Sequence, residues 1–190
     1  MGIINSTKNT IKRILAVRNP TKYARSLGVT VGENVRFNDV PDFGTEPWLI
    51  SIGDRVVLCS DIVFITHDGS IYAMKHLTKE YPKLCKFGKI EIGKECFIGK
   101  GATILPNVRV GNNCIVAANS VVVKDVPDGT VVGGCPARPI CTIEYLANKW
   151  IEGMADYVPL EGENDFRVWT KHVADYYWDK KEKVKNVTTK

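Results

Sequence analysis

Few side chains in this sequence could carry chemistry. Histidine occurs three times, as His67, His76 and His172, and His67 stands between Thr66 and Asp68 where an aliphatic pattern has just broken off. A neutral imidazole in such a position can take a proton from a weak nucleophile, which is general-base chemistry. Metal chemistry fits less well. No CxxC pair, HExxH or zinc-deaminase signature occurs, and three scattered histidines leave little for a ligand set, so no dedicated metal is expected. The six cysteines, Cys59, Cys85, Cys96, Cys114, Cys135 and Cys141, are irregularly spaced, and the first residues carry no apolar leader with a cleavage site. They are expected to be free, mostly buried thiols and not a disulfide framework.

The chain of 190 residues is 44% hydrophobic and 25% charged, a globular mix that excludes whole-chain disorder. Its longest apolar stretch, residues 116–123, is interrupted by Asn119 and Ser120 and is under half the roughly 20 residues that span a bilayer. No transmembrane helix is expected, and without a leader the chain is expected in the cytosol. A net charge of +5, with no basic run interleaved with stacking aromatics, does not indicate nucleic acid; it suits a phosphate-bearing small ligand equally well.

The elements that must position His67 follow from an internal period. Every sixth residue from Ile92 is β-branched and aliphatic: Ile92, Ile98, Ile104, Val110, Val116 and Val122. Isoleucine and valine make up 39 of the 190 residues. Six consecutive hits at about one in five arise by chance with a probability of about 6 × 10⁻⁵ per starting phase. Four residues after each anchor comes a small or medium side chain: Cys96, Ala102, Val108, Cys114, Ser120 and Val126. An earlier block keeps the phase with Ile52, Leu58 and Phe64, and Val31, Gly32 and Val35 form an isolated earlier turn. A period of six is neither helical nor a simple alternation; it suits short strands joined by tight corners, three sides making a coil of about 18 residues. The fold class is therefore all-β, a parallel β-helix, with Cys96 and Cys114 in one ladder. Glycine directly after an anchor, as at Gly53, Gly93, Gly99 and Gly111, is expected where the chain turns sharply or takes positive φ.

The phase is interrupted once, over residues 69–89, which carry Tyr72, His76, Tyr81, Pro82 and several lysines and should protrude as a functional loop. Residues 1–27 form an N-terminal segment whose basic, partly amphipathic stretch from residue 3 reads as a helix broken near Asn19-Pro20. It is expected to pack on the coil, in preference to lying on a membrane surface. Residues 28–141 form the β-helix. Residues 142–190 are rich in aromatic residues and are expected to supply a helical cap, with 179–190 disordered.

The hexapeptides, together with Phe64-Ile65-Thr66-His67-Asp68-Gly69, the restart Phe87-Gly88-Lys89-Ile90-Glu91-Ile92-Gly93, and the closing Lys124-Asp125-Val126-Pro127 and Gly133-Gly134-Cys135-Pro136-Ala137-Arg138, resemble the left-handed β-helix acyltransferases. Within that family the chain is most similar to sugar and surface-polysaccharide O-acetyltransferases, as Tyr23-Ala24-Arg25-Ser26-Leu27-Gly28-Val29 and Phe43-Gly44-Thr45-Glu46-Pro47-Trp48-Leu49-Ile50 indicate. The resemblance supplies the left-handed sense of the coil, which the period alone does not. It implies a homotrimer with sites between subunits, acetyl-CoA bound as co-substrate in a groove between coils, and direct transfer of acetyl to a sugar or polysaccharide acceptor.

Residue by residue, the resemblance gives His67 as the catalytic base that deprotonates the attacking hydroxyl. Developing charge on the thioester oxygen would meet a backbone N–H of an adjacent coil. Ala118 corresponds to a backbone contact to the pantetheine arm, and Lys124 and Arg138 to phosphate contacts. Phe97 takes the place of a tryptophan common in relatives that gives the cofactor a stacking surface. Glu46, Asp68 and His76 are expected as acceptor-binding residues, the two carboxylates also being able to orient His67. Two other readings stay open, a xenobiotic acetyltransferase acting on chloramphenicol or a streptogramin, and a non-catalytic β-helix scaffold. A γ-type carbonic anhydrase would need three zinc-binding histidines near one interface, and His172 lies in the tail.

Overall fold

In the computed structural model of the chain, residues 16, 18–74, 76–77, 86–159, 162 and 165–188 are described, 182–188 for their backbone alone. The six-residue period becomes a three-sided coil of parallel strands. One face stacks Thr30–Val31, Ile50–Ile52, Ile90–Ile92 and Val108–Val110. The second stacks Arg36–Phe37, Val57–Leu58, Phe97–Ile98, Ile115–Val116 and Thr130–Gly134, and the third stacks Val63–Phe64, Thr103–Ile104 and Val121–Val122. In the unbroken part, partners such as Ile92 and Val110, Ile98 and Val116, or Ile104 and Val122 are 18 residues apart.

Burial follows the phase. All nine anchors from Ile52 to Val122 are at most 3% exposed, and the companions Val56, Ile62, Cys96, Ala102, Val108, Cys114, Ser120 and Val126 join them in the interior. Cys96 and Cys114 stack as expected, their thiols donating to the carbonyls of Gly111 at 3.0 Å and Pro127 at 3.1 Å. The Cys114 sulfur beside it, together with burial, pushes the Cys96 thiol above the usual range. The other described cysteines depart from the expectation of buried thiols: Cys59 and Cys141 are half-buried and Cys135 is exposed, all of them unbridged.

The corners show a rule that the glycine pattern conceals. Positive φ falls three residues after the anchor, at Asn34, Arg55, Asp61, Glu95, Gly101, Asn107, Asn113 and Asn119. Asn, Asp and Gly tolerate this left-handed backbone best. At Arg55 and Glu95 the side chains instead reach across the coil boundary and pair at 2.6 Å. Glycine directly after the anchor is needed for a different reason. A Cβ on Gly93 would lie 2.5 Å from the Gly111 carbonyl oxygen, so successive coils there meet backbone to backbone.

The N-terminal end of the coil is covered by helix α1 (Pro20–Leu27). Asn19 caps it by accepting from the Lys22 N–H at 2.9 Å, and Pro20 at its first turn marks the expected break. Ala24 is fully buried against the first coil, and the Arg25 guanidinium donates to the carbonyls of Val31 and Gly32 at 2.7 and 3.0 Å. Val31 lies on the outermost strand of the first face, which among the described residues has no strand neighbour on that side, and Gly32 directly follows it. The expected helix over residues 3–15 lies outside the described residues. At the other end Thr130–Gly134 pairs antiparallel with Ala137–Thr142.

Residues 1–146 and 147–190 form two compact units. Two helices follow the coil in the chain, α3 (Ile143–Gly153) and α4 (Phe166–Thr188), with α2 (Ile71–Met74) lying earlier in the long loop. Over residues 179–188 the expected disorder is not found, because α4 continues to Thr188. Lys180 anchors it, donating to Asp156 Oδ1 at 2.8 Å and the Gly153 carbonyl at 2.9 Å, while Tyr157 packs against His172 and Tyr176. Among the described residues no helix is long and apolar enough to cross a membrane.

The backbone contact between coils sets a stability prediction. Gly93→Ala should lower unfolding free energy in urea by about 1–3 kcal/mol. Gly69→Ala, whose Cβ would meet nothing within 4 Å, should change it by less than about 0.5 kcal/mol.

Candidate active site

Two departures from the hexapeptide phase build the site, and both leave the same corner of the coil. The chain exits the third face at Asp42, bridged to Val63, and rejoins the first at Ile50; one coil later it exits after Phe64 and rejoins at Ile90. The two excursions are tied together. Phe43 and Phe64 stack with ring centroids 5.8 Å apart, and the Phe64 N–H donates to the Asp42 carbonyl at 2.8 Å. Gly44 has φ +64°, and a Cβ there would lie 3.1 Å from the Phe64 carbonyl oxygen, so the first excursion can run close under the second. A 3₁₀ turn over Pro47–Leu49 follows and leaves Glu46 at its start. The second excursion opens as an antiparallel ribbon, His67–Asp68 against Lys86–Phe87, reinforced by the Gly88 N–H donating to the Thr66 carbonyl at 2.8 Å.

These constraints place His67 against Glu46, 21 residues earlier. The imidazole Nδ1 lies 2.9 Å from Glu46 Oε2. The same oxygen accepts from the Thr66 hydroxyl at 2.6 Å, and Oε1 accepts from the Thr45 hydroxyl at 2.7 Å. The Thr66 and Thr45 hydroxyls hold the Glu46 carboxyl down at about 2 against the opposing effect of burial, with His67 contributing less. Glu46 is therefore an acceptor only, which makes Nδ1 the donor and leaves Nε2 of neutral His67 with a free lone pair. The His67 side chain is 39% exposed and Glu46 17%, so the base faces solvent while its carboxylate partner is sheltered. Phe87 lies beside the imidazole, ring centroids 5.7 Å apart, and is itself half-exposed.

The other residues singled out from the sequence are distributed more widely. Asp68 accepts from the Ser70 N–H at 2.8 Å, which holds its carboxyl below the usual range and spends it on the turn of the ribbon. Of the two carboxylates that could orient His67, the structure thus brings Glu46 to it and turns Asp68 to its own loop. His76 lies exposed in the turn after α2. Lys124 is exposed at the His67 corner, two coil steps further, or about 10 Å along the axis. Phe97 stands half-exposed on the second face, and Ala118 lies exposed at the corner between the second and third faces. Arg138, on the closing hairpin, is exposed and donates to the Ala137 carbonyl at 2.9 Å. One chain therefore assembles the base and its partner, but not the cofactor candidates around them. Thr45 and Thr66 were missed by sequence reasoning. Their signal was the pair of dipeptides Thr45-Glu46 and Thr66-His67, whose adjacency is visible only once the coil register is known.

Residues 89–124 match the family model of six bacterial transferase hexapeptide repeats. Protein CapG of Staphylococcus aureus is 44% identical over 147 residues, covering 76% of this chain and 83% of that protein. The chain belongs to the hexapeptide-repeat transferase family, as an acetyltransferase. The galactoside O-acetyltransferase of Escherichia coli is 26% identical over 65% of this chain and 59% of its own length. Among solved structures, the hexapeptide-repeat acetyltransferase VCA0836 from Vibrio cholerae superposes with a TM-score of 0.54 at 24% identity, covering 73% of this chain and 89% of that one. The shared fold gives the coil its left-handed sense.

The low value of Glu46 has a measurable sign. A carboxyl held at about 2 when folded and near 4.5 when unfolded adds stability that is complete above about pH 4.5 and is lost as pH falls toward 2. Denaturant unfolding of Glu46→Gln against the parent protein should therefore show a stability deficit at pH 7 that shrinks between about pH 4.5 and 2.

Proposed function

We propose that the protein transfers the acetyl group of acetyl-CoA to a hydroxyl of a sugar in a surface polysaccharide or its precursor. The observation that carries this reading is the Glu46–His67 pair at 2.9 Å, with the His67 side chain 39% exposed and Glu46 sheltered behind it. A sugar hydroxyl is a poor nucleophile. His67 Nε2 takes its proton as the oxygen attacks the thioester carbonyl, and Glu46 stabilises the imidazolium that forms. A backbone N–H of an adjacent coil offers its hydrogen bond to the developing oxyanion. When the carbon–sulfur bond breaks, His67 returns the proton to the departing thiolate, so neither a covalent enzyme intermediate nor a metal is required. In this scheme Glu46 orients the base. The acceptor contact expected of Glu46 stays part of the reading, since Oε1 accepts only from the Thr45 hydroxyl among the described residues and keeps a lone pair for a further donor.

Ala118, Lys124, Arg138 and Phe97 are the proposed cofactor contacts, and Asp68 and His76 the proposed acceptor contacts from the loop. Because one chain spreads the cofactor candidates over separate faces, the reading includes a homotrimer in which neighbouring copies complete each site. An outward-facing ladder on the second face supports it. Val57, Phe97 and Ile115 stand in register there, an apolar stripe on the outside of a coil whose first face instead presents Glu91 and Arg109. The sugar acceptor draws on the galactoside O-acetyltransferase among the relatives and on the likeness of the stretches around Tyr23 and Phe43 to surface-polysaccharide enzymes.

Free-thiol release from acetyl-CoA against a panel of mono- and oligosaccharides, with chloramphenicol as a comparison acceptor, tests the reading. Sugar-dependent release should fall at least about 10²-fold in His67→Ala, with little change in CoA affinity. Chloramphenicol acetylated far more efficiently than any sugar would overturn the acceptor class, and full turnover in His67→Ala would remove the base from the mechanism.

A further inference from the structure

Thr66 does not fit the structural logic around it. It is a polar side chain only 1% exposed, lying on a coil whose other buried positions are nearly all apolar, and its hydroxyl points at a carboxylate already engaged by His67. A buried hydroxyl is retained at a cost unless it is satisfied, and among the described residues this one is satisfied by Glu46 Oε2 alone, at 2.6 Å. The contact uses the oxygen that receives the imidazole. Thr45 holds the other oxygen at 2.7 Å, its hydroxyl lying 3.4 Å from His67 Nδ1, so the carboxylate cannot rotate without breaking the hydrogen bonds to both threonines.

Resting on the reading of His67 as base, we propose that Thr66 is a positioning residue for the transfer. Its hydroxyl locks the Glu46 carboxylate in the one orientation that fixes His67 as the Nδ1–H tautomer with Nε2 aimed at the acceptor. The lock works through geometry. Glu46 comes from the lower excursion and His67 from the upper, and Thr66, directly preceding His67, is the side chain of the upper strand that reaches down to the carboxylate. A carboxylate free to turn would offer either oxygen to Nδ1 and let the ring swing with it. The proton that Nδ1 must retain could then move to Nε2, which would abolish the base. Thr66 touches neither acceptor nor cofactor in this scheme; it acts through Glu46 on His67. Among the described residues, the charged groups beside the pair include Asp68, adjacent on the upper strand, and Lys86, opposite Asp68 on the ribbon. The Thr66 hydroxyl also contributes most to keeping Glu46 ionised, so the lock and the charge come from one hydrogen bond.

Thr66→Val and Thr66→Ser, with thermal unfolding as a check that both fold, separate this role from packing. In Thr66→Val, kcat for sugar-dependent thiol release should fall at least about tenfold while KM for acetyl-CoA stays within about twofold. Thr66→Ser, which keeps the hydroxyl and loses a methyl, should recover most of the rate. ¹⁵N NMR of the His67 ring at neutral pH supplies a readout that needs no acceptor. The parent protein and Thr66→Ser should show a single Nδ1–H tautomer and Thr66→Val a mixture. An unchanged tautomer in Thr66→Val, or a loss of rate that serine restores no better than valine, would overturn the proposal. A mixed tautomer in Thr66→Val alongside a parent enzyme inactive on every sugar would uphold the lock while refuting the acetyl-transfer reading on which its use depends.

Discussion

Each coil hands its backbone N–H groups to the carbonyls of the next, and the geometry of everything else follows from that exchange. The Gly53 N–H donates to the Ile92 carbonyl, Gly93 to Val110 and Gly111 to Val126, each at 2.8 Å. Such close approach leaves no room for a Cβ, so glycine recurs where the coils touch, and the aliphatic anchors fall one above another because parallel strands in fixed register admit no other arrangement. The corner three residues after most anchors takes the left-handed conformation for the same reason. The chain must change face within a few residues and still present its next N–H in register.

This rigidity explains how two short excursions make a site. Glu46 and His67 are brought together by no sequence motif of their own. They leave the same corner on successive coils, and one coil step, about 4.8 Å, is the distance over which a glutamate and a histidine can meet. The scaffold fixes where the two backbones depart; Phe43, Gly44 and the ribbon formed by Lys86–Phe87 fix the angles at which they do so. The electrostatics then follow from ordinary hydrogen bonding. Two threonine hydroxyls make Glu46 a strong acid, and a strong acid beside an imidazole holds the Nδ1 proton without taking it.

Much of this architecture was legible in the sequence because the hexapeptide repeat states its burial pattern outright: each β-branched residue in phase from Ile92 to Val122 lies in the core. His67 was legible as well, being the one histidine at a break in that phase. Which of the two candidate carboxylates, Glu46 or Asp68, would partner it was not. Asp68 is adjacent in sequence, yet in a strand neighbouring side chains point to opposite sides, and Asp68 turns to the Ser70 N–H instead. Glu46 could be chosen over it only by knowing which corner each excursion leaves. The glycines misled in a different way. Their position after the anchor suggested a sharp turn, whereas the turn lies two residues further on and the glycines mark contact between coils. The helix through residues 179–188 was hidden by its charged composition, since its anchorage depends on Asp156 and Gly153, far back in the chain.

The register of 18 residues per turn also constrains how such a chain can change its length. Inserting or deleting one or two residues within a face would shift every inward aliphatic above it to the outside, while a loop at a corner can grow freely, as residues 69–89 have. Removing or adding one whole turn leaves each remaining contact intact, because a coil touches only its two neighbours. A turn gained between the His67 corner and Lys124 would lengthen the separation of those two side chains by about 4.8 Å and alter nothing else at either place. The molecule thus carries its own ruler, graduated in whole turns, along which the reach from base to distal charge can be reset without redesigning the base.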